Sequence, residues 1–159
     1  GSGILSIAAL VLGAKEAFAC DIDEKCVDVA YENAALNGVG KDRYTVRWGD
    51  VLTDRALQAQ LGGGYDIVVA NIVAGVIVPM TPIVPRLIKK DGMYITSGII
   101  AERAQEVMDA LGNLRPHAVD AGDVVDAGRG KRRKGAKGVR KGLGNRLAHM
   151  THAQAEQDT

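Results

Sequence analysis

Residues 67–70, Ile-Val-Val-Ala, form an unbroken apolar run at the centre of the stretch 65–73, and the run ends at Asn71. An apolar run of strand length has the composition of a strand buried on both faces, which requires a parallel sheet covered by helices on each side. In open α/β sheets, ligands bind outside the carboxyl ends of the strands. The Asn71 carboxamide carries two donor hydrogens and an acceptor oxygen, so it is a candidate site residue. The competing reading is an asparagine that only turns a loop.

The rest of the chain repeats this strand-then-polar-tip pattern. Residues 17–20, Ala-Phe-Ala-Cys, read as a short buried strand that ends in Asp21-Ile22-Asp23. Upstream, Gly1-Ser2-Gly3 runs into an apolar helical pattern that closes at Gly13. Asp21 follows Gly3 at the spacing of a βαβ nucleotide site, where a glycine turn opens a helix and an acid at the next strand tip accepts from ribose hydroxyls. The alternative for Asp21 is a helix N-cap, a role that Asp23 fits better for the helix expected over residues 24–36. That helix places Val27, Ala30 and Ala34 inward, with Val29 at the margin of the same face, and stops at Asn37-Gly38. Residues 44–48 alternate as a strand ending at Gly49-Asp50, a second acid at a strand tip; Asp50 could instead cap a helix over residues 53–61. Gly62-Gly63-Gly64 reads as a plain linker. An irregular helix is expected over residues 75–88, because Pro79, Pro82 and Pro85 interrupt it. Asp91-Gly92 reads as a turn, residues 93–98 as a strand, and residues 101–111 as a helix with Ala104, Val107, Met108 and Leu111 inward.

A chain of 159 residues suffices for one domain with a core. With one Trp and one Phe, that core must be aliphatic. Cys20 and Cys26 do not make a disulfide framework, and their spacing without a nearby histidine is a poor zinc site; both read as small buried residues. No apolar run approaches the ~18 residues of a membrane helix. A soluble cytoplasmic protein with no membrane partner is the default expectation.

Gly1-Ser2-Gly3-Ile4-Leu5-Ser6-Ile7-Ala8-Ala9-Leu10, then Asp21-Ile22-Asp23, then Glu32-Asn33-Ala34-Ala35-Leu36-Asn37-Gly38 resemble class I S-adenosylmethionine-dependent methyltransferases. Val69-Ala70-Asn71-Ile72 and Ser97-Gly98-Ile99-Ile100 narrow the resemblance to the ribosomal protein L11 methyltransferase family, which methylates amino groups of a large-subunit ribosomal protein. The resemblance covers residues 1–111. It implies a Rossmann-like class I methyltransferase sheet, S-adenosyl-L-methionine as cofactor, and that ribosomal protein as partner. It places Gly1 and Gly3 in the turn beside the donor's methionine part and Asp21 on the ribose hydroxyls. Ile22 lies against the adenine, Asp50 near its amino group, and Asn71 near the transferring methyl and the incoming amine, as the catalytic residue. Such a displacement at a sulfonium mainly requires alignment, with no metal and no covalent nucleophile. His117, His149 and His152 all lie downstream of these motifs, so a Ser-His-Asp reading has no support. A nicotinamide dinucleotide is the competing ligand; its turn wants a terminal Gly or Ala where this chain has Ser6.

Against that pattern the chain begins as if cut through a βα unit. The family's first strand, due between the Asp21 and Asn71 strands, has no counterpart before Gly1. Nor does anything after Leu114 match its closing strands. The sheet is therefore expected to be incomplete, with a partial methyltransferase domain over residues 1–111 and a Gly/Lys/Arg-rich tail over residues 112–159. A frame shift or fragment boundary near Gly112 would account for the change. With its central position empty, the chain is expected to fold poorly and to transfer no methyl group. The tail holds Asp120, Asp123 and Asp126 and then nine Lys or Arg within residues 129–146. Its composition reads as disordered. The rival function is nonspecific nucleic-acid binding through this basic tail, although no aromatic residues interleave to stack on bases.

Overall fold

The structure, a computed structural model, describes residues 1–114 and 146–151; within the latter stretch only the side chains of Ala148 and Met150 are described. Helix α1 (Ile4–Val11) leads to strand β1 (Glu16–Asp21), helix α2 (Lys25–Leu36), strand β2 (Tyr44–Trp48) and helix α3 (Arg55–Leu61). Strand β3 (Tyr65–Asn71) follows, then helix α4 (Ala74–Met80), a 3₁₀ turn and the short helix α5 (Val84–Leu87). Strand β4 (Ile88–Ser97), helix α6 (Ala104–Gly112) and strand β5 (Arg146–Thr151) complete the described elements. The strands pair in the order β2-β1-β5-β3-β4, and every pairing is parallel.

The apolar pattern sorts onto two faces. Ala17, Ala19, Val46 and Val69 pack with Ile7, Leu10, Ala30 and Ala34 of α1 and α2. Cys20, Val68, Ala70, Ala148 and Met150 pack with Leu57, Leu61, Ile77, Met80 and Val107 on the opposite side. The run 67–70 thus serves both layers, as a central strand of a three-layer α/β fold must.

Side chains finish what the backbone leaves open. Arg43 donates through Nε to the Lys15 carbonyl at 3.1 Å and through Nη2 to the Ala14 and Leu10 carbonyls at 2.6 and 3.2 Å. These bonds tie the end of α1 and its exit loop to the start of β2. The Tyr31 hydroxyl of α2 accepts from the Val46 amide at 3.0 Å, which blunts the outer edge of β2. Helix α3 is capped by Asp54, whose Oδ1 accepts from the Leu57 amide at 2.9 Å. Asp50 instead accepts from the Leu52 amide and the Thr53 hydroxyl, both at 2.9 Å, so it braces a turn and does not cap the helix.

Several expectations need correction. The position between β1 and β3 is filled: β5 pairs with both, Ala19 and Val69 each opposite His149, and buries Ala148 and Met150. Two flanking strands offer rows of unpaired N–H and C=O groups there, and an extended segment satisfies both rows at once. The remaining tail calls, including Asp120, Asp123, Asp126, His117, His152 and the disorder of the basic run, lie outside the described residues. Asp91-Gly92 does not end a strand. Two steps along β3, Tyr65 to Ile67, face five along β4, Ile88 to Met93, so this segment is a bulge inside β4. A Cβ on Gly92 would lie 3.0 Å from the Tyr65 and Asp66 carbonyls, which leaves no room for a larger residue. Gly63 is likewise more than a linker, since a Cβ there would meet the Arg86 carbonyl oxygen at 2.6 Å. Val29 and Met108 are exposed, and among the described residues nothing covers that part of α2 or α6. The proline-rich stretch is irregular as expected, dividing into α4, a 3₁₀ turn and α5.

Candidate functional site

Because all five strands are parallel, their carboxyl ends share one edge. From β1 the chain turns outward to β2, and from β3 it turns the other way to β4, so the edge above β5 is a topological switch point. Asp21, Trp48, Asn71 and Ser97 are the last residues of their strands there.

Two clefts open beside these tips and share Cys20. One is lined by Gly1, Gly3, Asp21, Cys26, Ala30 and Tyr44 among others. The other is lined by Ile22, Gly49, Asp50, Val51, Ile72 and Met150 among others. The five candidates Gly1, Gly3, Asp21, Ile22 and Asp50 are therefore divided between adjoining clefts. Asn71 lines neither; it is exposed at the tip of β3, with Ile72 next to it forming part of the second wall.

Asp21 is the buried charge of this edge, only 3% exposed. Its Oδ1 accepts from the Asp23 amide at 2.9 Å, and its Oδ2 pairs with the ammonium of Gly1. Asp23 in turn accepts from the Lys25 amide at 3.0 Å, but the N-cap position of α2 is Glu24, one residue further on, and it carries no side-chain cap bond. The Asp21 carbonyl accepts from the Gly49 amide at 2.9 Å, which links the tips of β1 and β2.

Gly3 enters α1 in the left-handed region, at φ 77°. A Cβ at Gly3 would sit 2.7 Å from the Tyr44 hydroxyl and 3.0 Å from the Ala30 Cβ. The Tyr44 hydroxyl is buried without a well-aligned hydrogen-bond partner, and burial pushes its pKa up to about 12. Ser6 lies close enough to offset that shift in part, yet not aligned enough to satisfy the group. Cys20 is pushed up to about 12 as well, by burial first and then by the charges of Asp21 and Asp50. It is a wall of the site and is not a nucleophile at neutral pH.

On the far side, the Ile72 amide donates to the Ser97 carbonyl at 3.1 Å. Gly98, at φ 83°, follows; a Cβ there would come 3.1 Å from the Ile72 carbonyl oxygen and 3.4 Å from Asn71 Oδ1. The Ser97-Gly98 turn thus lies directly against the Asn71-Ile72 tip. Sequence reasoning gave no role to Tyr44, Cys26 or Trp48, whose indole Nε1 donates to the Ile22 carbonyl at 3.0 Å. A lone Trp immediately before Gly49-Asp50 was the available signal. Among the described residues no cluster of His, Cys, Asp or Glu could hold a metal ion, and no helix is long and apolar enough to cross a membrane.

A family model described as ribosomal protein L11 methyltransferase (PrmA) matches residues 1–119. The ribosomal protein L11 methyltransferase of Agathobacter rectalis is 46% identical over 112 residues, 70% of this chain and 35% of the relative. That of Acetivibrio thermocellus is 50% identical over 109 residues, 69% of this chain and 32% of the relative. The crystal structure of ribosomal protein L11 methylase from Lactobacillus delbrueckii subsp. bulgaricus superposes with a TM-score of 0.62 at 37% identity, covering 70% of this chain and 54% of that one. The chain spans about a third of the length of these curated relatives.

Proposed function

The chain belongs to the ribosomal protein L11 methyltransferase family, and from that premise we propose that its carboxyl-edge clefts bind S-adenosyl-L-methionine for methyl transfer to amino groups of a large-subunit ribosomal protein. The observation that carries the reading is a buried, acceptor-only carboxylate, Asp21, at a switch point between two adjoining clefts. A ribose diol needs such an acceptor.

The residues present fit the donor. Gly1 and Gly3 bare the backbone beside Asp21, and the unsatisfied Tyr44 hydroxyl lies in the same cleft. Ile22 and Val51 give the second cleft apolar walls for a flat base, and Asp50 offers acceptors at its rim. When bound, the donor supplies a methyl group activated on a sulfonium. In this reading Asn71 acts on the acceptor: its carboxamide oxygen takes a hydrogen bond from the amine and so aims the nitrogen lone pair at the methyl carbon. The bound donor would supply an electrophilic methyl carbon, and Asn71 would hold the incoming nitrogen in line with it. Ser97-Gly98 backs the Asn71-Ile72 tip while this occurs.

Incubation with donor carrying a labelled methyl group and a mixture of large-subunit ribosomal proteins and RNA tests the proposal. Label on protein amino groups is the expected result, because β5 fills the central position whose vacancy was the ground for expecting no transfer. Label confined to RNA, or donor binding with no acceptor labelled, would overturn the assignment of substrate.

A further inference from the structure

We infer that Trp48 is a positioning residue for the nucleoside end of the donor site, acting through the Ile22 carbonyl; the inference rests on the donor-binding reading above.

Trp48 is the only tryptophan in the chain and stands 59% exposed at the tip of an edge strand. Packing alone gives no reason for a large apolar side chain there. Its indole N–H, however, reaches across to the Ile22 carbonyl at 3.0 Å. The same turn is held at three further points. Gly49 donates to the Asp21 carbonyl, Asp23 to Asp21 Oδ1, and Lys25 to Asp23 Oδ1. Of these, the Gly49 and Trp48 bonds alone come from another strand, and they hold successive carbonyls. Residue 21 is thereby fixed with its carboxylate toward the first cleft, while Ile22 is fixed in the wall of the second. Without the indole bond, Ile22 can rotate about its peptide and loosen both walls together. Trp48 touches neither the donor nor the acceptor amine in this account; it sets where Asp21 and Ile22 stand.

The test is equilibrium binding of S-adenosylhomocysteine and of 5′-methylthioadenosine, which keeps the nucleoside and lacks the amino acid. Trp48→Phe retains the apolar ring and removes the donor. It should weaken both ligands by the same factor, about two- to tenfold for one hydrogen bond, with an unchanged melting temperature. In an Asp21→Ala background Trp48→Phe should have a smaller further effect, because one of the two residues it positions is gone. A residue that serves only stability would weaken binding equally in both backgrounds, and that result overturns the inference. Should Trp48→Phe not fold, the single indole N–H resonance of the unmodified chain supplies the answer: it should exchange slowly and shift on adding 5′-methylthioadenosine. A fast-exchanging, unshifted signal overturns the inference. No binding of either ligand by the unmodified chain overturns the donor-site reading itself and this inference with it, whereas normal binding that is indifferent to Trp48→Phe overturns the inference alone.

Discussion

Gly3 has two independent reasons to be glycine, and they can be separated by experiment. Its φ of 77° is a left-handed conformation, which costs an L-residue about 1–2 kcal/mol. The second reason is space. An added Cβ would stand 2.7 Å from the Tyr44 hydroxyl and 3.0 Å from Ala30 Cβ, and forcing a methyl into a packed site costs about 1–3 kcal/mol. Gly3→Ala should therefore lower unfolding free energy by about 2–5 kcal/mol, a large share of the roughly 5–15 kcal/mol typical of a domain. Tyr44→Phe removes the nearer of the two obstacles, and its hydroxyl has no aligned partner to lose. Urea denaturation of the two single variants and the double should show a favourable coupling of about 1 kcal/mol or more. The backbone strain and the Ala30 contact will remain in the double variant, so rescue should be partial. Strict additivity would refute the reasoning, since it would mean that Tyr44 does not press on the turn.

The other predictions concern the tips, the buried acids and the central strand. Asp21→Ala should raise the donor KM about 10- to 100-fold with kcat little changed, because ribose bonds exist in ground and transition states alike. Asn71→Ala should do the reverse, lowering kcat by about a hundredfold through lost alignment; equal effects of both substitutions on both parameters would show the roles misassigned. The stability contributed by Cys20 and Tyr44 should be level below pH 9 and fall as pH rises from about 9 to 12. Unfolded Cys20 and Tyr44 lose protons near 9.0 and 10.0, whereas both are pushed up to about 12 in the fold, so the unfolded state binds fewer protons across this window. Cys20→Ala should shift the onset of that fall toward 10, and an alkaline melting profile that rises would contradict the linkage. Ala148→Asp, placing an unpaired charge at a fully buried point of β5, should abolish the cooperative transition. An unchanged melting temperature would show that residues 146–151 do not complete the sheet.

The parts legible in the sequence are those written by a local rule. The run 67–70 announces a two-faced strand because a parallel sheet leaves no polar face; Asp21 and Asn71 announce tips because each ends an apolar run, and Asp50 because it follows the alternating strand 44–48. The family motifs gave the order of the methyltransferase elements. What was missed depends on contacts far apart in the chain. Arg146-Leu147-Ala148-His149-Met150-Thr151 has no β-branched run and follows a Gly/Lys/Arg-rich stretch, so nothing local marks it as a central strand; only the open ladders of β1 and β3 do. Gly63 reads as a linker until the Arg86 carbonyl is seen against it. Val29 and Met108 satisfy helical spacing yet face solvent, because periodicity gives a helix face and the neighbouring elements decide which part of it is covered.

The central claim is that the carboxyl edge of this sheet is a donor site built around Asp21. Equilibrium dialysis of labelled S-adenosyl-L-methionine against the chain, with S-adenosylhomocysteine and NAD as competitors, tests it most directly. The account predicts one saturable site per chain, displaced by S-adenosylhomocysteine, indifferent to NAD and weakened about 10- to 100-fold in Asp21→Ala. Binding of unchanged affinity in Asp21→Ala, or binding that NAD displaces more readily than S-adenosylhomocysteine, would contradict it.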